Sequence, residues 1–290
     1  MENDRAKGLM LAFVTFFMWG VFPIFFKLIK DVNAVQILAH RVVWSFVLLL
    51  VFLCFTHRLK NVARLLSSPK IALTLLCTGL LISTNWGVYI YAVNSDQILA
   101  TSLGYFINPL FSVLLGALFL RERLSAAAKL SLLLAFAAIG VQIYALGRLP
   151  IISLVLPLSF AFYGLIRKKV KVPSFEGLFC ETALMLLPAL AFLIYCALKG
   201  SGAFGFNVNS ALLFASGLIT ILPLLTFAVS TQYLPLSTIG FMQYISPSLS
   251  MLIAVFIYGE ELESYKILSF SLIWFGLAVV GLDGLRRKNG

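Results

Sequence analysis

Two stretches, near positions 105 and 243, place hydrogen-bonding side chains inside otherwise apolar sequence. Tyr105, Asn108 and Ser112 stand at i, i+3 and i+7, one face of a helix. A shift of 138 positions carries them onto Gln243, Ser246 and Ser250, and the same shift takes Pro109 to Pro247. A proline inside a helix removes one backbone donor and frees a carbonyl a turn earlier, here near Tyr105 and near Gln243. That carbonyl could accept from a ligand, and the kink could serve as a hinge. Single Ser, Asn and Pro residues are common interhelical glue in membrane helices. Their recurrence in two aligned copies is what favours a binding role.

Further polar and aromatic groups recur at comparable depth. Asn85 and Tyr89 share a helix face with Trp86 between them, and the repeat partner of Asn85 is Pro223, so the two copies differ chemically. Trp19 matches Tyr163, aromatic walls that suit a flat or partly apolar ligand. Arg41 sits beside His40 inside a span, where it could hold a substrate carboxylate or a partner, or snorkel to the interface. Glu122 and Glu260 end the fourth and ninth helices and are expected as salt-bridge or gate partners on the cytoplasmic side. Glu181, one turn into the seventh helix, suits a helix N-terminus or a proton-coupling carboxylate.

Catalysis and metal binding find no support in residue types. His40 and His57 are the only histidines, and Cys54, Cys77, Cys180 and Cys196 lack metal-ligand spacing. No catalytic residue, metal or cofactor is expected. The rival from another class is an integral membrane enzyme acting on a lipid-linked substrate, which needs a clustered nucleophile or acid–base pair. A channel, requiring a continuous polar stripe, or a receptor comes third.

Long apolar helices must position these groups. Of 290 residues 61% are hydrophobic and 11% charged, with mean hydropathy +1.01, far from a soluble domain. Apolar runs of the ~20 residues needed to cross hydrocarbon recur at Leu9–Ile29, Val35–Phe55, Ile71–Val93, Ile98–Leu120, Ala126–Leu146, Leu149–Ile166, Gly177–Leu198, Ala211–Tyr233, Leu236–Tyr258 and Lys266–Asp283. The first lacks a small-residue cleavage site and is expected to remain as a helix.

With both termini cytoplasmic, 17 of the 22 Lys and Arg, Lys266 among them, are assigned to the cytoplasmic face. Only Lys27, Lys30, Arg148 and Lys199 are assigned to the other, while Arg41 lies within a span. This is the positive-inside pattern, so the net charge of +11 reads as topology facing anionic lipid and not as nucleic-acid binding.

The shift of 138 also aligns Gly79–Leu80 with Gly217–Leu218 and Glu122 with Glu260, and earlier in each half it becomes 144, from Trp19 to Tyr163. The expected fold is therefore an all-α membrane protein of ten transmembrane helices: residues 1–147 and 148–290 form two inverted five-helix repeats. Inverted halves favour alternating access for a small-molecule substrate in a lipid bilayer. Small residues in the fifth and tenth helices leave monomer and homodimer both open.

Several stretches are also specific enough to carry a family resemblance over essentially the whole chain: MWGVFPIFFK, ILAHRVVWS, NWGVYIYAVNS, ATSLGYFINPLFSVLLG, SFAFYGLIRKK, GLFCET and PLSTIGFMQYISPSLSMLIAVFIYGE. The sequence resembles the RarD-type branch of the EamA family in the drug/metabolite transporter superfamily. That resemblance implies a bacterial inner-membrane (cytoplasmic membrane) permease with ten helices in inverted repeats. It also implies export of an amino acid, metabolite or drug, and the RarD label is associated with chloramphenicol sensitivity. By position it implies a cavity at Trp19, Asn85, Tyr89, Tyr105, Asn108, Tyr163, Gln243 and Tyr244.

Overall fold

A computed structural model describes residues 2–121, 124–170, 172–234, 238–239 and 242–289. The first span is α1 (Glu2–Gly20) and α2 (Phe22–Lys27), separated at Val21, with Pro23 in the first turn of α2. There it needs no intrahelical N–H partner. Then follow α3 (Ala34–Phe55), α4 (Leu59–Leu66), α5 (Pro69–Asn94), α6 (Ile98–Leu120), α7 (Ala126–Leu146), α8 (Ile151–Val170), α9 (Ser174–Leu198), α10 (Val208–Tyr233), α11 (Ile245–Leu252) and α12 (Ser264–Asn289). Asn33, Ser125 and Asn207 cap α3, α7 and α10 by accepting from backbone N–H groups of the first turn.

Among the described residues nine spans are long and apolar enough to cross a membrane, and Ile245–Ile257 is a shorter apolar helix. Large apolar side chains such as Phe55, Tyr144, Leu187 and Phe256 face outward, which suits lipid and not water. The segment least open to the outside is α6: 67% of its apolar window is buried, against 22–44% for the others. The short α4 was not expected. Val62, Leu65 and Leu66 on one face join an apolar cluster with Leu49, Leu53 and Leu75, while Lys60 and Arg64 face outward.

The helix pairings repeat under exchange of the two halves. Helix α3 packs on α10 as α9 packs on α5, α1 on α10 as α8 on α5, and α1 on α11 as α8 on α6. The pairs α3–α9, α7–α12 and α6–α11 map onto themselves. Two hydrogen bonds make the relation atomic: Ser131 Oγ donates to the Gly276 carbonyl at 2.5 Å and Ser269 Oγ to the Ala138 carbonyl at 3.1 Å. The shift of 138 turns one of these bonds into the other. Likewise Gly79 meets the backbone of Glu181 and Gly217 that of Trp44, so the repeated glycines seat equivalent helix crossings.

Two expectations need correction. The ninth span is not one straight helix: the chain turns at Gln243–Tyr244 before α11, and Ser246 N–H donates to the Gln243 carbonyl. Pro247 thus lies in the opening turn of a helix, where its missing donor costs little; the carbonyl expected to be free at Gln243 has a partner. Pro109, by contrast, lies inside α6.

Glu260, expected at the same face as Glu122, instead lies at the end of the bundle where α6 begins, accepting from the Ile98 and Leu99 N–H groups at 2.6 and 2.9 Å. A unit with an odd number of spans turns its copy over, so matched residues sit at opposite ends. Lys266, at the start of α12, moves with Glu260, and the charge asymmetry survives the transfer of one residue. Glu122 lies outside the described residues.

Candidate functional site

Helices α5, α6 and α8 meet at Asn85, which is 2% exposed. Its amide donates to the Leu156 carbonyl at 2.9 Å and to Ser159 Oγ at 3.1 Å, and its Oδ1 accepts from Tyr105 Oη at 3.1 Å. Three of the four bonds open to an asparagine side chain are thus used to join three helices. The Tyr89 ring lies 6.0 Å from that of Tyr105 and 5.9 Å from Phe26. Tyr89 Oη and Asn108 Oδ1 are buried without a hydrogen-bond partner, an expensive arrangement in hydrocarbon. On the same α6, Phe106 stacks with Tyr244, centroids 6.1 Å apart and planes 13° apart. The stretches around 105 and 243 thus adjoin through the rings of Phe106 on α6 and Tyr244 in the turn before α11.

Arg41 does not snorkel. It is 4% exposed, donates from Nε to Thr220 Oγ1 at 2.7 Å, and lies over Trp86, Phe26 and Phe22 at 4.2, 5.6 and 6.0 Å. Each such cation–π contact contributes up to about 2 kcal/mol when dry. The neighbouring His40 turns elsewhere, stacking on Phe204 at 5.2 Å.

Tyr163 belongs to a second group. Its Oη donates to Glu181 at 3.3 Å, Thr78 Oγ1 donates to the same carboxylate at 2.7 Å, and Arg167 Nε stands 3.7 Å away. Glu181 is 1% exposed, deeper than a carboxylate interacting only with its own helix terminus. The sequence carries no signal for Thr78, Thr220 or Arg167 as partners, because these contacts join helices distant along the chain. Trp19 packs on Phe16 and Phe227 at 5.6 and 5.9 Å, and Gln243 occupies the turn before α11, half-buried.

Beneath the Glu260 contact, Lys27 pairs with Asp96 and lies 5.3 Å from the Tyr258 ring. A π-turn at Ile253–Ile257 and Gly259 at φ +66° bring Glu260 to α6. Arg121, the repeat partner of Gly259, has the same left-handed backbone at φ 57°, a conformation glycine adopts without strain. A separate cavity of about 10 Å³ lies between α6 and α7, lined by Leu110, Phe111, Leu114, Leu132, Ala135, Phe136 and Ile139. It is apolar and water-sized, and none of Asn85, Tyr89, Tyr105 or Asn108 lines it.

Comparison with known proteins agrees with this architecture. The EamA-like transporter family matches residues 6–144 and again 149–282. An uncharacterized transporter of Vibrio cholerae serotype O1 is 43% identical over 290 residues, spanning 99% of this chain and 96% of its own. Protein RarD of Escherichia coli K12 is 41% identical over 99% of this chain and 98% of its own. The chloramphenicol-sensitive protein RarD of Pseudomonas aeruginosa is 27% identical over 97% and 95%. A crystal structure of a protein 17% identical superposes with TM-score 0.59 over 96% of this chain and 98% of that one, and so shares the fold. The chain belongs to the EamA-like transporter family, and it is a multi-pass membrane transporter of the RarD branch.

Proposed function

We propose that the chain is an alternating-access carrier of the bacterial cytoplasmic membrane, not an enzyme, with both termini cytoplasmic. Residues 1–147 and 148–290 form the two halves, and a small organic solute, an amino acid, metabolite or amphipathic drug moving outward, binds between them. The site consists of Trp19, Asn85, Tyr89, Tyr105, Asn108, Tyr163, Gln243 and Tyr244, and Pro109 and the turn before Pro247 supply the flexure. The observation that carries this is the stacking of Tyr244, in the turn before α11, on Phe106 of α6, two elements that the exchange of halves maps onto each other. Buried polar atoms left without partners, Tyr89 Oη and Asn108 Oδ1, suit a place that a ligand completes. Glu260 and the Lys27–Asp96 pair act as the closure at one end.

Uptake into proteoliposomes tests it. Purified protein should move at least one member of a labelled panel of amino acids and amphipathic metabolites faster than empty vesicles. Asn108→Ala and Gln243→Ala should each lower that rate while keeping the elution volume and helical content of the parent. A panel moved no faster than by empty vesicles contradicts the carrier; unchanged rates in both variants contradict the site.

A further inference from the structure

The guanidinium of Arg41 stands out among the buried charges. Arg167 lies beside Glu181 and Lys27 beside Asp96, but among the described residues Arg41 has no carboxylate. Among the described residues its one hydrogen bond runs from Nε to Thr220. A charge taken out of water without a counter-ion costs several kcal/mol. Three aromatic faces and one hydroxyl return part of that and leave the forked Nη donors, the part of arginine that matches a carboxylate in bidentate fashion.

The surroundings specify what would complete it. Tyr89, whose ring packs 5.9 Å from the same Phe26 ring that the Arg41 guanidinium covers at 5.6 Å, has a buried Oη with no hydrogen-bond partner among the described residues and can donate to the same anion. Trp86, Phe26 and Phe22 supply the apolar faces around the guanidinium. One cation with one hydroxyl balances a monoanion; a phosphate dianion calls for a second cation, and the nearby Lys27 is paired with Asp96. Resting on the carrier reading above, we propose that the transported solute bears a carboxylate next to an aromatic or apolar body, and that Arg41 and Tyr89 hold that carboxylate beneath the Glu260 closure.

The test compares matched probes on the detergent-purified full chain: phenylacetate, phenylacetamide and inorganic phosphate, each at increasing concentration, read by melting temperature. Phenylacetate should raise the melting temperature while phenylacetamide and phosphate leave it unchanged. Arg41→Gln should abolish the response. Tyr89→Phe, which keeps the ring and so the packing, should weaken the apparent affinity about tenfold, as expected for one charge-assisted hydrogen bond. Should Arg41→Gln fail to fold, Tyr89→Phe decides alone.

An equal response to acid and amide, an equal response to phosphate, or an undiminished response in folded Tyr89→Phe and Arg41→Gln overturns the assignment. So does silence toward phenylacetate. Flux of the neutral members of the wider panel then tells whether the carrier reading survives the loss of its anionic ligand.

Discussion

Asn85→Ala is the sharpest test at the scale of single residues, because three helices lose a shared partner. An interhelical bond within a membrane contributes about 0.6 kcal/mol on average, but leaving the Tyr105 hydroxyl unsatisfied adds a penalty of roughly 1–3 kcal/mol. Thermal unfolding in detergent should show the variant destabilised by about 1–3 kcal/mol, with Tyr105→Phe, which removes one bond and strands one acceptor, milder. Equal stability of all three proteins would mean that the network does not hold α5, α6 and α8 together.

Much of this level is legible in the sequence: Asn85, Tyr89, Tyr105 and Asn108 stand out because polar groups in hydrocarbon need a reason. Their partners are not legible. Thr220 for Arg41 and Thr78 for Glu181 lie far away along the chain, and a lone threonine in a span carries no mark of what it bonds. The depth of Arg41 is equally hidden, since two helical turns of distance from a span end permit both snorkelling and burial.

Among elements, the crossings at the repeated glycines set how closely the halves interlock. A Cβ at Gly217 would lie 2.6 Å from Trp44 Cβ and 2.7 Å from the Trp44 carbonyl carbon, whereas one at Gly140 meets nothing within 4 Å. Gly217→Ala should therefore cost about 1–3 kcal/mol by forcing α10 from α3. Gly140→Ala should be neutral or stabilising by up to about 1 kcal/mol, because alanine is the better helix former. Thermal melts of the two variants side by side check this, and the reverse order would refute the close crossing at Gly217. Hydropathy reveals the spans with ends close to those observed, yet it does not show the turn at Gln243–Tyr244 or the amphipathic α4. Apolar periodicity marks where a chain can be helical, whereas a break inside an apolar run depends on what packs against it.

For the molecule as a whole, the duplication is readable from a shift of 138 that becomes 144 earlier in each half, and the reciprocal Ser131–Gly276 and Ser269–Ala138 bonds express it in three dimensions. What the shift does not prevent is the placing of Glu260 beside Glu122: similarity along the chain hides that an odd-numbered unit inverts its copy. Inversion is also what gives a carrier two equivalent closures, one at each end.

Trans-acceleration tests this most directly. Proteoliposomes preloaded with an unlabelled solute from the panel should take up its labelled form faster than unloaded vesicles and accumulate it transiently above equilibrium, because a loaded carrier reorients with its cargo. Uptake indifferent to internal solute, in protein that still conducts it, would indicate a continuous pore and contradict two halves alternating about a shared site.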